Sequence, residues 1–103
     1  MADEFGRVAV LGAGTMGRGI AQLCASRDID TRLYGVAGGQ IDAALESVAK
    51  QLGRLVDKGR IDKSRRDTTL AHITPTPELR DACRDVELVI EAAPESMDLK
   101  VSL

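Results

Sequence analysis

Six residues, Gly12-Ala13-Gly14-Thr15-Met16-Gly17, carry the spacing G-x-G-x-x-G, and each glycine has its own task in holding a pyrophosphate. Gly12 permits a tight turn, Gly14 lets the backbone come close to the anion, and Gly17 lets a helix pack on a strand. The backbone N–H groups and the dipole at the helix start then face the negative charge. The spacing alone is weak evidence, since glycine-rich turns are common. Its context strengthens it: the apolar run "RVAVL" precedes the turn and a helical pattern follows. About twenty residues on, a dinucleotide site of this kind ends its second strand with an acid that accepts from the ribose hydroxyl. This sequence has Gly35 there. Asp28 and Asp30 precede that strand and Asp42 falls in the next helix, so no neighbouring acid is an obvious replacement.

The missing carboxylate has two consequences. The adenosine ribose loses charge-assisted hydrogen bonds worth roughly 1.5–3 kcal/mol, and a 2′-phosphate no longer meets repulsion. No arginine follows to attract that phosphate: Val36, Ala37, Gly38, Gly39 and Gln40 offer a single polar side chain. The expectation is weak, poorly selective NAD(H) binding with NADP(H) tolerated. Gly35→Asp is expected to tighten NADH and reject NADPH.

Other reactive side chains are few. His72 is the sole histidine and stands where a helical hairpin returns to the sheet, a structural or solvent-exposed position. Cys24 and Cys83 have neither metal-ligand spacing nor a disulfide-rich setting and read as buried thiols of a reducing compartment. No metal site is expected.

The elements that must position the turn follow from the apolar pattern. "RVAVLG" reads as a buried parallel strand closed by glycine. Met16, Ile20, Leu23 and Cys24 then recur at helical spacing, and "TRLYG" is a second strand. From Gln40, the stripe Ile41, Ala44, Leu45, Val48, Leu52, Leu55 and Val56 predicts a long helix stopped by Gly59. Asp62 caps another helix running to about His72. "HITPT" is a weak third strand, Thr76 and Pro77 open a short helix to about Asp85, and "ELVIEAA" is the fourth strand. Residues from Glu95 onward are expected to begin a further helix.

Strands alternating with helices predict a parallel, doubly wound α/β sheet in order 3-2-1-4, with a long helical hairpin after strand two. Such folds carry about six strands, so 103 residues with four read as the N-terminal part of a Rossmann-type domain. Strand four would then be an open apolar edge.

Composition excludes several classes. Phe5 and Tyr34 are the only aromatics, which argues against stacking on nucleic acid. No apolar run reaches the length of a membrane span, and "MADEFGR" has no secretory or transit character, so a cytoplasmic protein is expected. The formal charge of −2 is unevenly spread: Lys50 to Arg66 holds seven bases against Asp57 and Asp62, +5 for the segment and −7 for the rest. That cluster is either a solvated helical face or a contact for a phosphorylated ligand.

"VAVLGAGTMGRGIAQLCA", the helix ending "LVDKGRI", "ITPTPEL" and "ELVIEAAPESMDLK" together resemble the NAD-binding domain of 3-hydroxyacyl-CoA dehydrogenases, including 3-hydroxybutyryl-CoA dehydrogenases. The likeness runs from about Arg7 onward, and "EAAPE" after strand four makes it specific. It implies oxidation of an L-3-hydroxyacyl-CoA to the 3-ketoacyl-CoA, with hydride passed to NAD, in fatty acid metabolism. The glycine turn would hold the pyrophosphate. Glu95 and Lys100 would line the cofactor site, and Lys58, near the end of the long helix, would touch coenzyme A. A homodimer is expected for the complete protein, with an acyl-CoA or an acyl group on a carrier as substrate. The family's catalytic histidine, its orienting glutamate and the supporting serine and asparagine lie beyond the fourth strand and have no counterpart in these residues. The chain alone is therefore expected to be inactive. Two alternatives stand beside this reading: a related dehydrogenase acting on a carrier-protein-bound hydroxyacyl group, and a non-catalytic nucleotide-binding module.

Overall fold

A computed structural model describes residues 6–35, 39–93 and 96–101. Strand β1 (Arg7–Leu11) leads through the glycine turn into α1 (Thr15–Ser26), followed by β2 (Asp30–Tyr34), α2 (Gln40–Asp57), α3 (Lys63–Ala71), β3 (Ile73–Pro75), α4 (Leu79–Ala82), β4 (Leu88–Ala93) and β5 (Ser96–Val101). The sheet order is β3-β2-β1-β4-β5. The first four strands are parallel, with Val10 opposite both Leu33 and Ile90. Val8, Ala9 and Val10 are all buried, as a central strand covered on both faces requires.

The segment after β4 departs from expectation. The sequence predicts a helix from Glu95 onward and an open edge at β4; instead β5 folds back antiparallel along β4, from Leu88 opposite Val101 to Ala93 opposite Ser96. The reason lies in "SMDLKV", where polar and apolar residues alternate strictly, the period of a strand. Pairing with β4 satisfies an edge that would otherwise expose unpaired N–H and carbonyl groups. Among the described residues, the edges of the sheet are thus β3 and β5.

Helix α1 is rotated relative to its sequence-predicted face. Gly17, Ala21 and Ala25 are its buried residues, whereas Met16 is 38% and Leu23 57% exposed. Ile20 and Cys24 flank the core and are partly buried. The rotation follows from Gly17. A Cβ built there would stand 1.6 Å from the Gly12 carbonyl oxygen, so this residue must face the turn. Steps of four from it land on two alanines, whose small side chains let the helix lie close to the sheet.

Helix α2 buries Ala44, Val48 and Leu52, as its stripe predicts. Its end is a Schellman motif: Arg60 N–H donates to the Leu55 carbonyl and Gly59 N–H to that of Val56, each at 2.9 Å, with Gly59 at φ +73°. Gly59→Ala, forced into the left-handed region, is expected to lose about 1–2 kcal/mol, read as a fall in the urea midpoint. An unchanged midpoint would refute the motif's role.

Asp62 caps α3, its Oδ1 accepting from Arg65 N–H at 2.7 Å. Arg65 Nη2 in turn donates to the Ser26 carbonyl and, at 2.9 Å, to Asp28 Oδ1, which ties α3 to the end of α1. The expected start of α4 at Thr76 is displaced. Thr76 N–H bonds the Leu33 carbonyl at 2.9 Å and its hydroxyl donates to the Thr74 carbonyl, so it prolongs β3, and the helix begins only after Glu78. The short α4 ends at Ala82 and not near Asp85, which sits at φ +56° in the left-handed region. Arg32, reaching from β2, bonds the carbonyls of Asp81 and Arg84 and pins that helix end to the sheet.

Cys24 and Cys83 are half-buried, short of the full burial expected of them. Burial pushes the Cys24 thiol above its ordinary range. His72 closes α3, its Nδ1–H donating to the Thr68 carbonyl at 2.8 Å.

Candidate functional site

The glycine turn is built by three contacts. Gly12 N–H donates to the Tyr34 carbonyl at 2.7 Å, which joins the end of β1 to the end of β2. At φ +120°, Gly12 directs its Cβ position to within 2.4 Å of the Ala92 carbonyl oxygen, and no side chain fits there. Gly17 is walled in by Gly12 itself.

Gly14 behaves differently. It lies in extended backbone (φ −77°, ψ −167°), and a Cβ built on it would meet nothing within 4 Å. The open space is a cavity of about 350 Å³ lined by Gly12, Gly14, Thr15, Met16, Gly17, Gln40 and Ala92. Gly14 is also the N-cap of α1, with no side-chain cap and no acid in the first turn. The helix therefore presents its leading N–H groups to the cavity. Helix α3, by contrast, has the Asp62 carboxylate on its first turn. Two glycines closed by backbone and one open onto uncapped N–H groups form a cradle that fits a pyrophosphate.

Gly35 directly follows β2 and lies against Gln40, which lines this cradle. A Cβ on it would stand 2.9 Å from Gln40 Oε1 and 3.1 Å from both Ala13 Cβ and Ile41 Cγ1. An aspartate there would have to displace Gln40 and press on Ala13, so replacing the absent acid carries a packing cost that the sequence did not show.

The remaining predicted site residues lie elsewhere. Glu95 falls outside the described residues. Lys100, on β5, pairs diagonally with Glu91 of β4, and that carboxylate's hydrogen bond and charge hold the lysine above its ordinary value. Lys58 is the exposed C-cap of α2, an 18-residue helix that sets it roughly 27 Å from Gln40 at the other end. Of the basic cluster, Lys50, Arg54, Lys58, Arg60 and Lys63 are exposed, while Arg65 and Arg66 are engaged with Asp28 and Asp67. Sequence reasoning missed Ala92 as a wall of the cradle and Gln40 as a lining side chain. The run "GGQ" followed by an apolar stripe marks Gln40 only as a helix start.

A larger cavity of about 670 Å³ lies between α1, α2 and α3, lined by the apolar Leu23, Leu55 and Ile61 and by Arg18 and Arg65 among others. Thr15 borders both cavities. The smaller one holds all three glycines of the turn and the start of α1, the features that suit an anion. Among the described residues, no three histidine, cysteine or acidic side chains converge as metal ligands. None of the described helices is long and apolar enough to cross a membrane.

A glycine cradle at the start of α1, at the carboxyl end of the parallel strands, defines a dinucleotide-binding domain of the doubly wound class. The chain belongs to the 3-hydroxyacyl-CoA dehydrogenase NAD-binding domain family, whose model matches residues 7–103. It is 39% identical to a 3-hydroxybutyryl-CoA dehydrogenase of Clostridioides difficile over 91% of this chain and 33% of that protein. A fatty acid oxidation complex subunit alpha of Psychrobacter cryohalolentis is 35% identical over 96% of this chain and 14% of its own length. The crystal structure of (S)-3-hydroxybutyryl-CoA dehydrogenase from Ralstonia eutropha superposes with a TM-score of 0.83 at 32% identity, covering 89% of this chain and 32% of the other. The chain thus spans about a third of the length of such dehydrogenases. NAD is the cofactor of the family.

Proposed function

We propose that these residues are the cofactor-binding part of a dehydrogenase that exchanges hydride between a nicotinamide and the C3 position of an acyl thioester. The observation that carries the reading is Gly14, whose side-chain position is open to a cavity while Gly12 and Gly17 are closed by backbone. Bound NAD would supply the hydride acceptor. The chain's own contribution is binding: N–H groups from Gly14 onward hold the pyrophosphate, with Ala13 buried in the turn and Thr15 and Met16 lining the cavity. Glu95 and Lys100 are proposed to line the nicotinamide side, and the general base is proposed to reside in the longer protein, outside these 103 residues. That longer protein is proposed to be a cytoplasmic homodimer acting on acyl-CoA, with NADP(H) tolerated beside NAD(H).

The exposed lysines and arginines of the hairpin suit the phosphates of coenzyme A, and Lys58 is the proposed contact. Calorimetric titration with NADH tests the cofactor reading: saturable heat is expected, and none would leave a non-binding module. Lys58→Ala in the complete enzyme should raise KM for the acyl-CoA several-fold and leave KM for NADH unchanged. Equal effects on both would refute the assignment.

A further inference from the structure

We propose that Gln40 supplies the contact to the adenosine ribose that Gly35 lacks, and that its neutral carboxamide sets the site's tolerance of a 2′-phosphate. The inference rests on the dinucleotide reading above and adds to it the residue that decides between the two nucleotides.

The geometry is specific. Gln40 is the first residue of α2 and follows Gly39, whose left-handed φ of +81° turns the chain into the helix. Its side chain reaches back across the end of β2, so that Oε1 lies 2.9 Å from where the Cβ of Gly35 would be. It therefore fills the space from which a strand-end acid would project. The same side chain lines the cradle together with Gly12, Gly14 and Gly17. A polar group at the missing acid's position and on the wall of the pyrophosphate cavity is placed to meet the adjoining ribose.

Chemistry then fixes the selectivity. A carboxylate accepts from both ribose hydroxyls and repels a 2′-phosphate. A carboxamide accepts through Oε1 and donates through Nε2, so it serves a hydroxyl or a phosphate oxygen and repels neither. The adjoining sequence does not tip the balance toward the phosphate. Residues 35–44 contain no lysine or arginine, and Asp42 on the first turn of α2 opposes a second negative charge. Comparable affinities for NADH and NADPH follow.

The test measures dissociation constants of NADH and NADPH on the intact protein for three forms. The natural protein should bind the two within about tenfold of each other. Gln40→Glu should shift the ratio toward NADH by about tenfold or more, and Gln40→Lys toward NADPH by a similar factor. Opposite shifts of one ratio cannot come from a loss of folding, which would weaken both nucleotides alike. If the natural protein binds NADH and neither substitution moves the ratio, Gln40 is not at the ribose and the inference fails while the dinucleotide site stands. If the natural protein binds neither nucleotide, the site and the inference fall together.

Discussion

Gly17→Ala should lower the melting temperature by about 10 °C or more and carry NADH binding down with it. The added methyl would lie 1.6 Å from the Gly12 carbonyl oxygen and 2.7 Å from its carbonyl carbon, both backbone atoms that no rotamer change can clear. Helix α1 would have to lift from the turn, and Ala21 and Ala25 would lift with it, because all three share the buried face. Overpacking of this kind costs about 1–3 kcal/mol and at times more. A backbone clash at the helix start belongs at the upper end. For about a hundred residues, 1 kcal/mol corresponds to roughly 4–8 °C, which gives the expected fall. Differential scanning calorimetry of the natural and substituted proteins measures it. A melting temperature within a degree or two of the natural value would mean that α1 is not packed on the turn as described.

Local pattern carried most of the fold because most of its elements are locally determined. The run "RVAVL", the stripe of α2, the cap at Asp62 and the stop at Gly59 each depend on residues within one or two turns, and each stands where the sequence placed it. The errors arise where a tertiary contact decides. Met16 and Leu23 are as apolar as the residues that α1 buries, and only the close approach of Gly17 to Gly12 selects the alanine face. "SMDLKV" alternates over six residues, and whether that alternation becomes a strand depends on β4 offering an edge. Thr76 and Pro77 form a plausible helix start, but the Leu33 carbonyl claims the Thr76 N–H for the sheet.

The site divides the same way. The three glycines are visible as spacing because backbone geometry at a strand–turn–helix junction needs them at fixed positions. Gln40 and Ala92 reach the cradle from other elements, and no local rule relates a helix-start glutamine to a strand end five residues earlier. The absence of an acid at Gly35 was readable, and so was Gln40 as the one polar side chain that follows; that it folds back over the strand end was not.

Gly14→Asp should move stability and binding in opposite directions. Gly14 is already in the extended backbone of an N-cap and has open space on its Cβ side, so an aspartate enters without strain. Its carboxylate would accept from an N–H of the first turn, now without a side-chain partner, as Asp62 does for α3. Asp improves on Gly at an N-cap by a few tenths of a kcal/mol, and its charge gains about 0.3–1 kcal/mol more from the helix dipole. The melting temperature should rise by a few degrees, on the scale of about 4–8 °C per kcal/mol. NADH should lose at least a hundredfold in affinity. The carboxylate takes the N–H groups meant for the pyrophosphate and sets a like charge against it, and each lost charge-assisted bond alone is worth roughly 1.5–3 kcal/mol. Thermal melting and NADH titration on the same preparation give both quantities. A stabilised protein that still binds NADH at its natural affinity would show that the start of α1 holds no anion, and the glycine turn would then be a purely structural one.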